Sequence, residues 1–164
     1  MMTNASHQIT VADSRPAALT AGLDFLKHLA DGSHPAPPFA RETDIWIVEA
    51  ERGRVLFAAM PSKRFYNPLG TVHGGWISTL LDSAMGCAVH SVLLAGQAYT
   101  TVDMTVNFVR PVLEKTGKLT CEGKIIHAGE RIATAEGRVW DEAGTLIAHG
   151  SETCLVMTAP ATKS

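Results

Sequence analysis

The stretch from Asn67 to Val92 constrains this chain most. It reads N-P-L-G-T-V-H-G-G-W-I-S-T-L-L-D-S-A-M-G-C-A-V-H-S-V. A turn-rich entry with Asn67, Pro68 and Gly70 leads into His73-Gly74-Gly75. A long apolar run to about Ala95 follows. With histidine counted neutral, Asp82 is the only charged residue between Arg64 and Asp103. Such an acid is expensive to bury unless it is paired or used. It either hydrogen-bonds a backbone group or serves a site.

Apolar residues fall at Trp76, Ile77, Leu80, Leu81, Ala84, Met85, Ala88, Val89, Val92 and Leu93. That spacing predicts one buried helix with a wide apolar face, wrapped by other structure. Gly74 and Gly75 stand at its start, where the first N–H groups lack helical acceptors and the dipole end is positive. A carbonyl oxygen gaining negative charge would be stabilised there. The run is also long enough for a membrane span, about 20 residues. Asp82 at its middle, His90 and the scattered Ser and Thr argue against one.

At 164 residues the chain fits one domain with a real core. A net charge of -2 leaves no basic footprint for nucleic acid. Charged residues are 18%, below the roughly one quarter usual in soluble proteins, which suggests surface buried between subunits. Cys87, Cys121 and Cys154 are widely spaced and form no C-x-x-C, so core packing is expected rather than a metal or redox site. His90 and His127 are expected to be satisfied polar groups or partly exposed rather than metal ligands. No signal pattern opens the chain, and the reading is a reduced, cytoplasmic protein.

Residues 1–16 are polar and unpatterned, as is the tail at 158–164, leaving 17–157 as a single domain. Leu19 to Ala30 has the spacing of a short amphipathic helix. His34 to Phe39, with Pro35, Pro37 and Pro38, reads as an extended connector. Asp44–Ala50 and Arg54–Met60 predict a hairpin around Glu51-Arg52-Gly53. Tyr99 to Val109 alternates, with Val102, Met104, Val106 and Phe108 on one face. Lys118–Ala128, Arg131–Trp140 and Thr145–Met157 follow as long strands with short turns, an antiparallel meander. The fold class is α+β, with the sheet curled around the long helix.

These residues resemble the hotdog-fold thioesterases of the PaaI-like (phenylacetic acid degradation) type, from about Asp44 to Met157. The resemblance is carried by Asn67-Pro68-Leu69-Gly70-Thr71-Val72-His73-Gly74-Gly75, then Leu81-Asp82-Ser83-Ala84, and Thr100 to Met104 leading into Arg110-Pro111. His127-Ala128-Gly129-Glu130-Arg131 and the closing Gly144 to His149 add less specific traits.

The resemblance implies hydrolysis of an acyl-coenzyme A thioester with an aromatic or medium-chain acyl group. No cofactor is implied, since coenzyme A is part of the substrate. It also implies a homodimer or dimer of dimers. Gly74 N–H would polarise the carbonyl. Asn67 would donate to it or position the loop. Asp82 would activate water or attack directly. Thr101 would hold the water, and His73 would shape the loop or donate a hydrogen bond. Gly75, Trp76, Arg110 and Arg131 are candidates for substrate contact.

Strict alternation turns Thr101 away from Met104, so the role needs a bulge or a shifted strand start; Thr100 is the fallback. His-Gly-Gly is similar to the oxyanion loop of α/β-hydrolases too, but no G-x-S-x-G elbow is present. A non-catalytic module that binds acyl-CoA or assembles a complex is the alternative, because fold does not settle activity.

Within one helix, Gly74 and Asp82 are eight residues apart, about 12 Å along the axis and about 80° around it. One helix therefore cannot easily bring both to one carbonyl. Two copies related by a two-fold axis could.

Overall fold

A computed structural model of the chain describes residues 20–158. The predicted N-terminal tail at 1–16 lies outside them, as does Leu19 at the expected start of the first helix. Thr158, expected in the C-terminal tail, still belongs to the last strand, and residues 159–164 lie outside.

Two short helices, α1 (Gly22–Ala30) and α2 (Pro38–Thr43), precede the hairpin of β1 (Ile45–Glu51) and β2 (Arg54–Ala59). The helix α2 falls partly in the stretch read as an extended connector. Pro37 is extended, but Pro38 occupies the first helical turn, where a missing N–H is harmless. At the hairpin turn Glu51 faces Arg54, and Gly53 has φ +80°, a left-handed position that suits glycine.

The central helix α3 spans Gly74–His90. It is shorter than the apolar run because the chain tightens at its end. Val92 N–H donates to Val89 C=O and Leu93 N–H to His90 C=O, three residues back. Ser91 Oγ donates to Ala88 C=O and accepts from Gly53 N–H, fastening the helix end to the hairpin turn. Leu80, Leu81, Ala84, Met85, Ala88 and Val89 are fully buried. Each large side chain among them contributes about 1.5–3 kcal/mol of burial.

Then come β3 (Gln97–Phe108), β4 (Leu119–Ala128), β5 (Ile132–Trp140) and β6 (Leu146–Thr158). All six strands form one antiparallel sheet in the order β1-β2-β4-β5-β6-β3. The meander of β4, β5 and β6 is as expected. The strand β3 does not join β4, however; it closes on β6 and forms one edge of the sheet. The helix α3 lies against β2, β3, β4, β5 and β6, so the sheet wraps it. Among the described residues no helix is long and apolar enough to cross a membrane.

Glycines set how closely helix and sheet approach. Gly123, Gly137 and Gly150 sit opposite one another in register across β4, β5 and β6. A Cβ on Gly123 would stand 2.0 Å from the Ala84 carbonyl oxygen, so the backbone of α3 rests directly on β4. On Gly137 a Cβ would meet the side chains of Leu81 and Met85 at 2.9 Å.

Candidate active site

The entry loop is organised by Asn67. Its Oδ1 accepts from Leu69 N–H at 2.9 Å and Thr71 N–H at 3.3 Å, and its Nδ2 donates to Thr71 Oγ at 3.0 Å. These bonds tie the side chain into its own loop, and the second Nδ2 hydrogen is left for a further acceptor. His73 caps α3: its Nδ1 accepts from Gly75 N–H at 2.9 Å. That assigns the ring proton to Nε2. Gly75 N–H is thereby occupied. Gly74, the first helical residue, has an N–H without an intrahelical acceptor. A cavity of about 280 Å³ opens over it, lined by Thr71, Ile77, Phe108 and Arg110 among others. Arg110 also donates to the Leu146 carbonyl at 2.8 Å.

Trp76 is buried in the core. It stacks on Phe65 at 5.1 Å and donates from its indole nitrogen to Thr43 C=O, tying α3 to the end of α2. Arg131 lies exposed in the β4–β5 turn, where its carbonyl accepts from Val156 N–H.

Asp82 lies halfway along α3, half-buried, on the wall of a second cavity of about 420 Å³. This cavity forms where α1, α2 and β1 cover α3. Its apolar lining includes Leu29, Phe39, Trp46, Phe57 and Tyr99. The two cavities share no lining residue. The structure thus keeps Gly74 and Asp82 of one chain in separate pockets, as the helical geometry required.

Thr101 does meet Asp82. The ladder between β3 and β6 shifts between Thr101 and Asp103, leaving Val102 as a bulge. Thr101 pairs with buried Cys154, so both face α3, and Met104 pairs with buried Glu152 on the same side. The bulge resolves the alternation conflict by expelling Val102, which is exposed. Val102 is accordingly not on the inner face with Met104 and Val106. Thr101 Oγ lies 3.1 Å from Asp82 Oδ1, and the residue is exposed.

Sequence reasoning missed Glu152. It is 2% exposed, and its Oε1 lies 2.8 Å from Thr101 Oγ and 2.9 Å from Cys154 Sγ. Its Oε2 is buried with no hydrogen-bond partner among the described residues. Burial pushes its carboxyl above the usual range, against the pull of the Cys154 and Thr101 contacts, and Asp82 pushes the same way. A signal was available: Glu152, Cys154 and Val156 alternate onto the buried face of β6. Burial, reinforced by Glu152 and Asp82, also raises the Cys87 thiol on the cavity wall to about 12.

His90 departs from expectation. It is buried between Phe25 and Tyr99 with Nε2 unpartnered, and burial lowers its pKa, which favours the neutral ring. His127 is exposed, and Cys121 and Cys154 are buried in the core.

Comparison with known proteins agrees with this architecture. The Thioesterase superfamily model matches residues 69–148. A Halobacterium salinarum protein provisionally assigned as an esterase is 35% identical over 85 residues, 51% of this chain; the match spans about half of that relative, 54%. Among solved structures, the PaaI protein of the E. coli phenylacetic acid degradation operon superposes with a TM-score of 0.73 at 19% identity, covering 84% of this chain and 96% of that one. A Streptococcus mutans protein bound to acetyl-CoA gives 0.67 at 23% identity, over 77% of this chain and 96% of that one. These two share the fold. An X-ray structure of a thioesterase-superfamily protein is 30% identical, with a TM-score of 0.67, over 83% of this chain and 98% of that one. With that relative matched over nearly its whole length, the chain belongs to the thioesterase superfamily and has the hotdog fold that its sequence predicts.

Proposed function

We propose that the chain hydrolyses acyl-coenzyme A thioesters carrying an aromatic or medium-chain acyl group, in a site shared by two copies. The observation that carries this reading is Asp82: a carboxylate, hydrogen-bonded to Thr101, on the wall of an apolar cavity of about 420 Å³. The acyl group occupies that cavity against Phe39, Trp46 and Phe57. Water sits at Thr101 Oγ and gives its proton to Asp82 while its oxygen attacks the carbonyl carbon. The oxyanion that forms is received by Gly74 N–H at the helix start of a second copy. Collapse expels the coenzyme A thiolate, a good leaving group that needs little further help. The acetyl-CoA bound to the Streptococcus mutans neighbour supports a coenzyme A ester as the substrate class.

Two observations support a second copy. Gly74 and Asp82 open into separate cavities. Among the described residues the long edge strand β3 pairs only with β6, and it exposes Val102 and Phe108, a surface that another copy would cover.

Thiol release from phenylacetyl-, hydroxybenzoyl-, hexanoyl- and palmitoyl-CoA tests the activity; turnover of the first three over palmitoyl-CoA is expected. No thiol release from any of them would leave the binding module as the better reading. Complementation tests the shared site. Asn67→Ala and Asp82→Ala should each be nearly inactive, whereas refolding them together should restore about a quarter of wild-type activity, from random pairing in a two-fold dimer. No recovery in dimers shown by mass spectrometry to be mixed would assign both residues to one chain's own site.

A further inference from the structure

Thr101 has one hydroxyl proton and two carboxyl neighbours. Its Oγ lies 2.8 Å from Glu152 Oε1 and 3.1 Å from Asp82 Oδ1. Two ionised carboxylates cannot both receive that single proton, so for both contacts to be hydrogen bonds one of the two carboxyls must carry a proton of its own. Burial decides which. Glu152 is 2% exposed, with Oε2 lacking any partner among the described residues, whereas Asp82 is half-buried beside a cavity. An anion on Glu152 would leave a bare buried oxygen. The titratable groups that face Glu152 are Asp82 and Cys87 from α3, Tyr99 from β3 and Cys154 from its own strand. Each is an acid, and none offers positive charge to an ionised neighbour.

We propose that Glu152 is a positioning residue of the active site: it carries a proton on Oε1 and donates it to Thr101 Oγ, which commits the Thr101 proton to Asp82 Oδ1. The polarity of the chain is then fixed as Glu152 to Thr101 to Asp82, and each bond strengthens the next. Cys154 S–H donates into the same Oε1 from behind. Thr101 Oγ uses one lone pair on Glu152 and keeps the other for water. Asp82 has Oδ1 occupied by Thr101, which leaves Oδ2 as the oxygen that takes the water's proton. Glu152 touches neither water nor thioester.

The catalytic part of this inference rests on the function proposed above, and the test separates the two. In Glu152→Gln the amide nitrogen can take the place of Oε1, donating one hydrogen to Thr101 and the other toward Cys154. Glu152→Met keeps the volume and removes the donor. Infrared spectra at neutral pH should show a protonated-carboxyl C=O band in wild type that both variants lack. Glu152→Gln should retain most of kcat. Glu152→Met, folded by circular dichroism, should lose about 100-fold in kcat with KM little changed, as for a misplaced reacting group. The proposal is overturned by wild-type activity in folded Glu152→Met, by Glu152→Gln failing as badly as Glu152→Met, or by the absence of the carboxyl band. If wild type cleaves no thioester, the proposed function fails, and the infrared band still decides where the proton resides.

Discussion

Replacing Gly123 by alanine tests how the sheet positions the central helix. The added Cβ would lie 2.0 Å from the Ala84 oxygen, 2.3 Å from the Ala84 carbonyl carbon and 2.7 Å from Met85 N. Real Cβ atoms essentially never come within 3.0 Å, so the gap must widen by at least 3.0 − 2.0 = 1.0 Å. All three atoms are helix backbone, so no side chain can turn aside, and α3 as a whole must lift. Overpacking relieved by backbone movement costs about 3 kcal/mol or more, the upper end of its usual range. The neighbouring Gly137→Ala is the control. Its Cβ meets the Leu81 and Met85 side chains at 2.9 Å, and these can rotate, so about 1 kcal/mol is expected. Urea denaturation should move the midpoint of Gly123→Ala well below that of Gly137→Ala with the slope unchanged. Activity should follow, because Asp82 lies two residues before Ala84. A shift of about 1 Å in a reacting group can cost about 100-fold in rate. Equal stability of the two variants, or a more damaging Gly137→Ala, would refute direct seating of the helix backbone on β4.

Other substitutions probe the site itself. Asp82→Asn should remain folded and lose orders of magnitude in kcat, read by thiol release; retention of more than about a tenth would move the base elsewhere. Gly74→Val should lose about 100- to 1000-fold, the loss usual for one oxyanion donor, with helicity by circular dichroism kept. Its side chain would meet the Phe108 ring, which a Cβ alone already approaches at 3.1 Å. Because burial raises the Glu152 carboxyl, the native chain holds this proton at pH values where the unfolded chain has released it. Wild type should therefore lose stability relative to Glu152→Gln as pH rises from the ordinary glutamate range through the raised native value, and match it best below that range. Urea midpoints across pH would show a constant gap if Glu152 were ionised throughout. Cys87, raised to about 12 by burial, should resist iodoacetamide near pH 8 in the native protein and react once unfolded; rapid native alkylation would contradict the raised thiol.

The sequence by itself determined the central helix, its glycine start, its lone acid and the hairpin before it. Helical and strand periods are local properties that survive without knowledge of contacts. With the family resemblance it also marked Thr101 as needing a bulge or a shifted strand start, because its side of the strand conflicted with Met104. Three features were decided only by tertiary structure. The strand β3 pairs with β6 and not with β4, a choice between edges that alternation does not encode. The glycines at 123, 137 and 150 become one row only once three strands are in register. The contact of Thr101 with Glu152 joins residues 51 positions apart. In the sequence Glu152 shares one face of β6 with Cys154 and Val156, and it becomes a buried acid because the register of β6 turns that face inward beneath α3. Periodicity tells each residue which face it shares with its neighbours, but which face meets the helix, and what waits there, is set by pairing between distant segments.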